Sequence, residues 1–153
     1  MKIRYLFLTI SFFTLTFLSS CNTSQTLKPK ALTISEGFKN PLGFYNSKPT
    51  FSWKLPVSVK TKWQSAYQVI VASSIELLPN NPDLWDSKKL LSSQSTFVNY
   101  QGEALKSRQK VFWQVRFWNQ DDTISEWSDI NEFELGLLNN SDWKAKWTGL
   151  DTA

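Results

Sequence analysis

Apolar and polar residues alternate along much of this chain, and a period of two residues is typical of β-strands with one buried face. The clearest run is KVFWQVRFW at 110–118, where every second position from Val111 to Phe117 is apolar. Shorter runs rich in β-branched and aromatic residues cover six further segments, 32–34, 50–55, 66–72, 84–87, 95–98 and 130–135. The pattern predicts seven short strands.

Turn-forming residues separate these segments. Pro56 follows the second run, PNNP at 79–82 follows the third, and NQDD at 119–122 follows the sixth. We therefore expect an all-β fold, a seven-stranded antiparallel β-sandwich of the fibronectin type III or immunoglobulin kind. The chain has one cysteine, which excludes the internal disulfide of true immunoglobulin domains and favours the fibronectin-like variant.

The segment NPLGFYNSKPTFSW, residues 40–53, combines turn formers with large rings. Pro41 and Gly43 predict a turn between the first two strands, and a proline at the entrance of a strand does little harm. Phe51 and Trp53 then point into the sandwich, where rings of this size bury enough area to replace a disulfide at the centre of the core.

The first residues predict an export signal. Lys2 and Arg4 precede an apolar run at 5–18 that is shorter than the roughly 20 residues of a membrane-spanning helix. We divide the chain into a lipoprotein signal peptide (1–20), a lipidated cysteine with a polar tether (21–30), the β-sandwich (31–138), and the start of a linker to a further domain (139–153).

The junction LSSC at 18–21 resembles the bacterial lipoprotein box, in which the leader is removed before a cysteine that carries lipid. The resemblance implies lipidation of Cys21 and an exported protein anchored to the outer membrane or the cell surface. The alternative is a free cysteine behind an ordinary cleaved leader. Cys21 directly follows the apolar run and has no second cysteine to pair with, which favours lipidation.

Charge and residue types exclude several classes of function. Once Lys2 and Arg4 leave with the signal, 15 of the 17 basic residues remain against 13 acidic ones, and they are interspersed, so no nucleic acid partner is indicated. Histidine is absent, which removes the commonest general base and metal ligand. The adjacent Asp121 and Asp122 are expected to diverge, and a turn hydrogen bond is favoured over calcium for the acidic turn 83–86. The sequence predicts no catalytic, cofactor-binding or metal-binding residue.

A series of motifs then resembles the N-terminal region of the bacterial α-L-rhamnosidases of glycoside hydrolase family 78. Each motif is weak alone, but together they run in the family's order from about residue 38 to residue 149. They are NPLG (40–43), PTFSWKL (49–55), QSAYQVIVASS (64–74), DLWDSKK (83–89), WQVRFW (113–118), SEWS (125–128), FELGLL (133–138) and DWKAKWTG (142–149).

The resemblance implies a non-catalytic accessory domain. In that family the fibronectin-type-III-like domain precedes further β-domains and a helical barrel that holds the catalytic carboxylates. The implied partners are those downstream rhamnosidase domains, and the implied task is to pack against them. The chain departs from the family's usual glycines at Lys88 and Arg108 and from its usual tyrosine at Val111, which puts the loop geometry there in doubt.

Eight tryptophans raise an alternative function. Trp63, Trp118, Trp143 and Trp147 are the candidates for contacts with a glycan or with another domain, and Tyr45 is a further candidate ring for a glycan. Trp118 is expected on an outward face, where Arg116 can stack on it or on Trp127. The alternative is a free-standing surface lipoprotein that binds a rhamnose-containing glycan, and a protein adhesion module is a third reading. An apolar patch near Trp143 and Trp147 would indicate a missing partner, whereas an open aromatic groove would indicate glycan binding.

Overall fold

The computed structural model describes residues 27–58, 61–146 and 149. Within them the chain forms eight strands: β1 (Lys30–Ile34), β2 (Thr50–Lys54), β3 (Gln64–Ala72), β4 (Trp85–Asp86), β5 (Leu90–Leu91), β6 (Val98–Asn99), β7 (Lys110–Asn119) and β8 (Asn131–Glu134). Two short 3-10 turns cover Ile75–Leu77 and Asn140–Asp142. The all-β class is confirmed. No helix among the described residues has the length and apolar character to span a membrane.

The strands form two antiparallel sheets. One has the order β1-β2-β6 and the other the order β4-β3-β7-β8, with β5 also paired to β3. Since β4 and β5 pair with different parts of β3, the two short strands together form one edge of this sheet, with a break between them. In constant-type immunoglobulin domains the fourth strand joins the first sheet, whereas here β4 joins the second sheet. The predicted count of seven strands is one too few among the described residues, because Leu90–Leu91 forms an additional short strand.

The alternating side chains meet between the sheets as predicted. Phe51, Trp53 and Trp113 are each 2% exposed or less, and Val111, Val115 and Phe117 are fully buried. The indole N–H of Trp53 donates to Gln64 Oε1 at 3.0 Å, and Gln64 Nε2 donates to the carbonyls of Ser92 and Gln94. Because each of these buried polar groups has a partner, burying them does not destabilise the core.

The long pair β3 and β7 gives the sandwich two distinct ends. Gln64 pairs with Asn119 at one end and Ala72 with Phe112 at the other, which for nine extended residues is a separation of about 26 Å. Leu27 lies at the first end, because its carbonyl accepts from Glu126 N–H and it lies beside Trp63. We call this the entry end.

The opposite end is where the chain leaves the sheets. Gly43 takes a left-handed φ of 71°, as expected of the predicted turn. Phe44 then lies beside Leu135 in a short parallel bridge, with its N–H donating to the Glu134 carbonyl and its carbonyl accepting from Gly136 N–H. The chain runs on from Leu135 through Leu138 at this end, which we call the exit end.

Candidate functional site

A large concave surface lies at the exit end. A groove of about 810 Å³, here called the exit groove, is lined by three segments that are far apart in sequence. Its lining includes Tyr45, Ser47, Leu105, Ser107, Leu138 and Asp142. A volume of this size is within the range of protein ligand and contact sites. Of these residues, the sequence indicated only Tyr45, as a further ring that can contact a glycan.

Tyr45 projects from the turn that the NPLG motif forms. The preceding Phe44 is buried, and its ring packs edge-on against Phe133 at 6.0 Å. The backbone is therefore fixed at Phe44, while Tyr45 remains 62% exposed. The Tyr45 hydroxyl donates to the Glu36 carboxylate at 3.0 Å, and this hydrogen bond raises the pKa of Tyr45.

Hydrogen bonds between the lining segments fix the shape of the exit groove. Leu105 N–H donates to the Ser47 carbonyl at 3.0 Å, and Leu138 N–H donates to Ser107 Oγ at 2.9 Å. The Ser107 hydroxyl in turn donates to the Asp142 carboxylate, which also accepts from Asn139 N–H at 3.0 Å. The Ser107 bond first, and then the Asn139 bonds, lower the pKa of Asp142. The groove is thus preformed by bonds between its own segments.

Further apolar side chains are exposed at the exit end. Leu42 is 82% exposed, and Trp143, directly after Asp142, is 59% exposed. Phe38 is 45% exposed and packs its ring against Phe44 at 6.0 Å. Single exposed apolar residues are ordinary, but a group of them beside a groove is typical of a contact surface.

A ladder of stacked cations and rings covers the outer face of the second sheet. The Arg116 guanidinium lies 4.4 Å from the Trp127 ring centroid and 5.3 Å from that of Trp118. The Lys89 ammonium lies 4.8 Å from the Trp118 centroid. The predicted stacking of Arg116 is confirmed. Trp118 does face outward, but because these cations lie over it the residue is only 9% exposed and offers no open ring.

Hydrogen bonds fix the arginine of this ladder. Gln68 Oε1 accepts from Arg116 Nε at 2.9 Å and from Nη2 at 2.7 Å, and Gln68 Nε2 donates to Asp86 at 2.7 Å. Partial burial raises the pKa of Asp86, but the bonds from Lys88 and Gln68 outweigh it, and the pKa is lowered overall. Asp86 is therefore ionised and structural at neutral pH.

The remaining acidic residues named by the sequence also have local partners. Asp83 accepts from Ser73 N–H at 2.8 Å and from its hydroxyl at 2.6 Å, so the interpretation of this turn as hydrogen-bonded is confirmed. Asp121 accepts from Gln120, whereas Asp122 pairs with Lys89 at 2.5 Å. Since their partners differ, the adjacent carboxylates diverge as predicted. Among the described residues, no group of three or more His, Cys, Asp or Glu side chains is placed to hold a metal ion.

Trp63 lies at the entry end, beside a second and smaller groove. It is 55% exposed and lines a volume of about 520 Å³, named here the entry groove, together with Leu27, Lys62, Asn119, Asp121 and Thr123. Trp63 and Trp143 therefore lie at opposite ends of the sandwich, while Trp118 is part of the cation–ring ladder. Cys21 and Trp147 are outside the described residues.

Comparison with known proteins gives a consistent result. Residues 29–139 match the family model described as the Rha78A-like, N-terminal immunoglobulin domain. An α-L-rhamnosidase of Formosa agariphila is 65% identical over 144 residues, covering 94% of this chain and 16% of the relative. One from an Alteromonas species is 49% identical over 140 residues, covering 89% and 15%.

Solved structures show the same fold. The Streptomyces avermitilis α-L-rhamnosidase complexed with L-rhamnose superposes with a TM-score of 0.74 at 41% identity, over 79% of this chain and 12% of that one. The enzyme from Dictyoglumus thermophilum gives a TM-score of 0.73 at 45% identity, over 78% and 13%. The chain thus spans less than a fifth of the length of these relatives.

Proposed function

Because this chain belongs to the Rha78A-like N-terminal immunoglobulin domains, we propose that it works as a non-catalytic accessory module of an α-L-rhamnosidase-type glycoside hydrolase that degrades polysaccharides. Its task is to pack against the domains that follow this segment in the longer relatives. The observation that carries the proposal is the exit groove, which lies beside the point where the chain leaves the sandwich.

The position of the exit groove fits a covalently linked neighbour. Leu138 and Asp142 line the groove and also begin the segment that leads away from the sheets. A domain that follows this segment is therefore tethered close to the groove. Such tethering gives a high effective concentration, so even a modest interface remains occupied.

The chemistry of the exit end also fits a protein partner. Tyr45 is a rigid aromatic anchor of the kind that dominates protein interfaces, and Leu42 and Trp143 add exposed apolar area. Asn46, Lys106 and Asn139 provide a polar rim around it. An apolar centre with a polar rim is the usual composition of a stable interface.

The proposal includes export and anchoring through lipid on Cys21, which the leader and the LSSC junction support. The six peptide links from Cys21 to Leu27 reach at most about 20 Å when extended. The entry end would then lie nearer the membrane, and the exit end would present the catalytic domains away from it. Incorporation of labelled palmitate into the full chain, abolished by Cys21→Ser, tests this part.

Association in trans tests the accessory role. The Formosa agariphila relative, shortened by the segment that matches this chain, is titrated with the full chain in a calorimeter. We expect binding that Tyr45→Ala weakens by about ten-fold, since the ring is the central anchor. Trp63→Ala is the matched control at the entry end and should leave binding unchanged. Absence of binding, or equal loss in both variants, would contradict the proposal.

A further inference from the structure

The entry groove has features that the accessory role does not use. It lies at the opposite end of the sandwich from the exit groove, and the β3 strand that runs between the two ends is about 26 Å long. Trp63 is more than half exposed in it, although a ring of this size is normally buried to a large extent. An exposed indole inside a concave surface is suited to a ligand with a flat apolar face.

The walls of the entry groove are rigid. Lys62 N–H donates to Gln120 Oε1 at 3.0 Å, which ties the segment before β3 to the turn after β7. Within that turn, Asn119 Oδ1 accepts from the backbone N–H groups of Asp121 and Thr123 at 3.0 and 2.9 Å. The Ser65 hydroxyl donates to the Asn119 carbonyl at 2.6 Å. A preformed groove of this kind loses little conformational entropy when a ligand binds.

The groups that line the entry groove are those that recognise a sugar ring. Leu27 and Trp63 are apolar residues suited to C–H groups, while Lys62, Asp121 and Thr123 carry an ammonium, a carboxylate and a hydroxyl. Pyranose hydroxyls both donate and accept hydrogen bonds, so they match such a mixed set of groups. The volume of about 520 Å³ is in the range of small-ligand sites.

From this combination we infer that the entry groove is a glycan-binding site, in which Trp63 stacks on one pyranose residue of a polysaccharide. A lipid surface is a poorer match. The groove is concave rather than projecting, and its lining sets the carboxylate of Asp121 against the ammonium of Lys62, so it offers no cluster of positive charge to anionic headgroups.

Native affinity electrophoresis of the full chain tests the inference. Gels contain rhamnogalacturonan, polygalacturonate or dextran, so the three polymers also distinguish which ring is bound. We expect retardation by at least one polymer, with an apparent affinity that Trp63→Ala lowers by about ten-fold. Trp143→Ala is the matched control, because this indole is 59% exposed at the other end, and it should be retarded like the parent.

Two further measurements keep the result unambiguous. Circular dichroism of Trp63→Ala should match the parent, since the side chain is exposed, so lost retention reports the site rather than unfolding. Flotation with phosphatidylcholine–phosphatidylglycerol vesicles tests the lipid alternative. Retardation by none of the three polymers, loss in Trp143→Ala instead of Trp63→Ala, or vesicle binding that depends on Trp63 would overturn the inference. Binding of the exit end through Tyr45 is measured in a separate experiment, so the glycan-binding inference and the accessory-module proposal can fail independently of each other.

Discussion

The rings of Phe51 and Trp113 lie 4.5 Å apart, centroid to centroid, where β2 and β7 face each other across the two sheets. In antibody domains the disulfide between the sheets joins strands B and F, which correspond in order to β2 and β7 here. Phe51 also contacts Trp85 at 6.2 Å and Tyr100 at 6.3 Å. An aromatic cluster therefore holds the sheets together where related domains use a covalent bond.

Truncation of this cluster should destabilise the domain strongly. Phe51→Ala removes a fully buried ring, and we expect a loss of about 3–5 kcal/mol in the free energy of unfolding. Urea denaturation followed by tryptophan fluorescence measures it. Phe97→Ala is the control, because that ring is 58% exposed, and it should change stability by no more than about 0.5 kcal/mol. Similar losses in both variants would contradict the role of Phe51.

The stability contributed by the cation–ring ladder should depend on the planar guanidinium of Arg116 and not on its positive charge alone. Arg116→Lys keeps the positive charge but loses the paired bonds to Gln68 Oε1 and the flat stacking on Trp127. We expect a loss of about 1–2 kcal/mol, seen as a drop of about 5 °C or more in Tm by calorimetry. Lys48→Gln, at an exposed position, is the control. A lysine variant as stable as the parent would show that charge alone suffices.

The Asp83–Ser73 contact should stabilise the fold at neutral pH and lose this contribution in acid. Partial burial raises the pKa of Asp83, but the Ser73 hydrogen bonds outweigh it and the folded-state pKa lies below the usual value. Such a carboxylate stabilises the fold above its unfolded pKa near 4, and this contribution is lost as pH falls through the lower folded value.

The matching variant is Asp83→Asn. At pH 7 we expect it to be less stable than the parent by about 0.5–1 kcal/mol, since the site is exposed and screened. At about pH 2.5 the difference should be smaller than at pH 7, because the parent loses this contribution as pH falls through its lowered folded-state pKa. Urea denaturation at both pH values measures the difference. A gap that widens at low pH would contradict the assigned direction.

The strands were largely predictable because a half-buried strand repeats every two residues. The inner faces carry the residues that the alternation indicated: Val111, Trp113, Val115 and Phe117 on β7, and Phe51 and Trp53 on β2. Leu90–Leu91 was missed because it has only two residues and both are exposed, which leaves no alternation to detect. Alternation also assigned Trp118 to the outer face, but it carries no information about what covers that face.

The exit groove could not be predicted, for a different physical reason. Tyr45, Leu105 and Leu138 come from three segments that approach one another only after the two sheets pack. No spacing in the sequence encodes that meeting. The motif NPLG indicated the turn, and the turn determines where Tyr45 projects, yet the partner segments depend on the tertiary fold.

Hydrogen exchange tests the central claim, that the exit end is the surface on which the neighbouring domains pack. The full chain is compared alone and with the shortened Formosa agariphila relative, by mass spectrometry of its peptides. The account predicts slower exchange in peptides that cover 43–48 and 104–107, and unchanged exchange in those that cover 61–65. Protection around Trp63 with none around Tyr45, or no protection at either end, would contradict it.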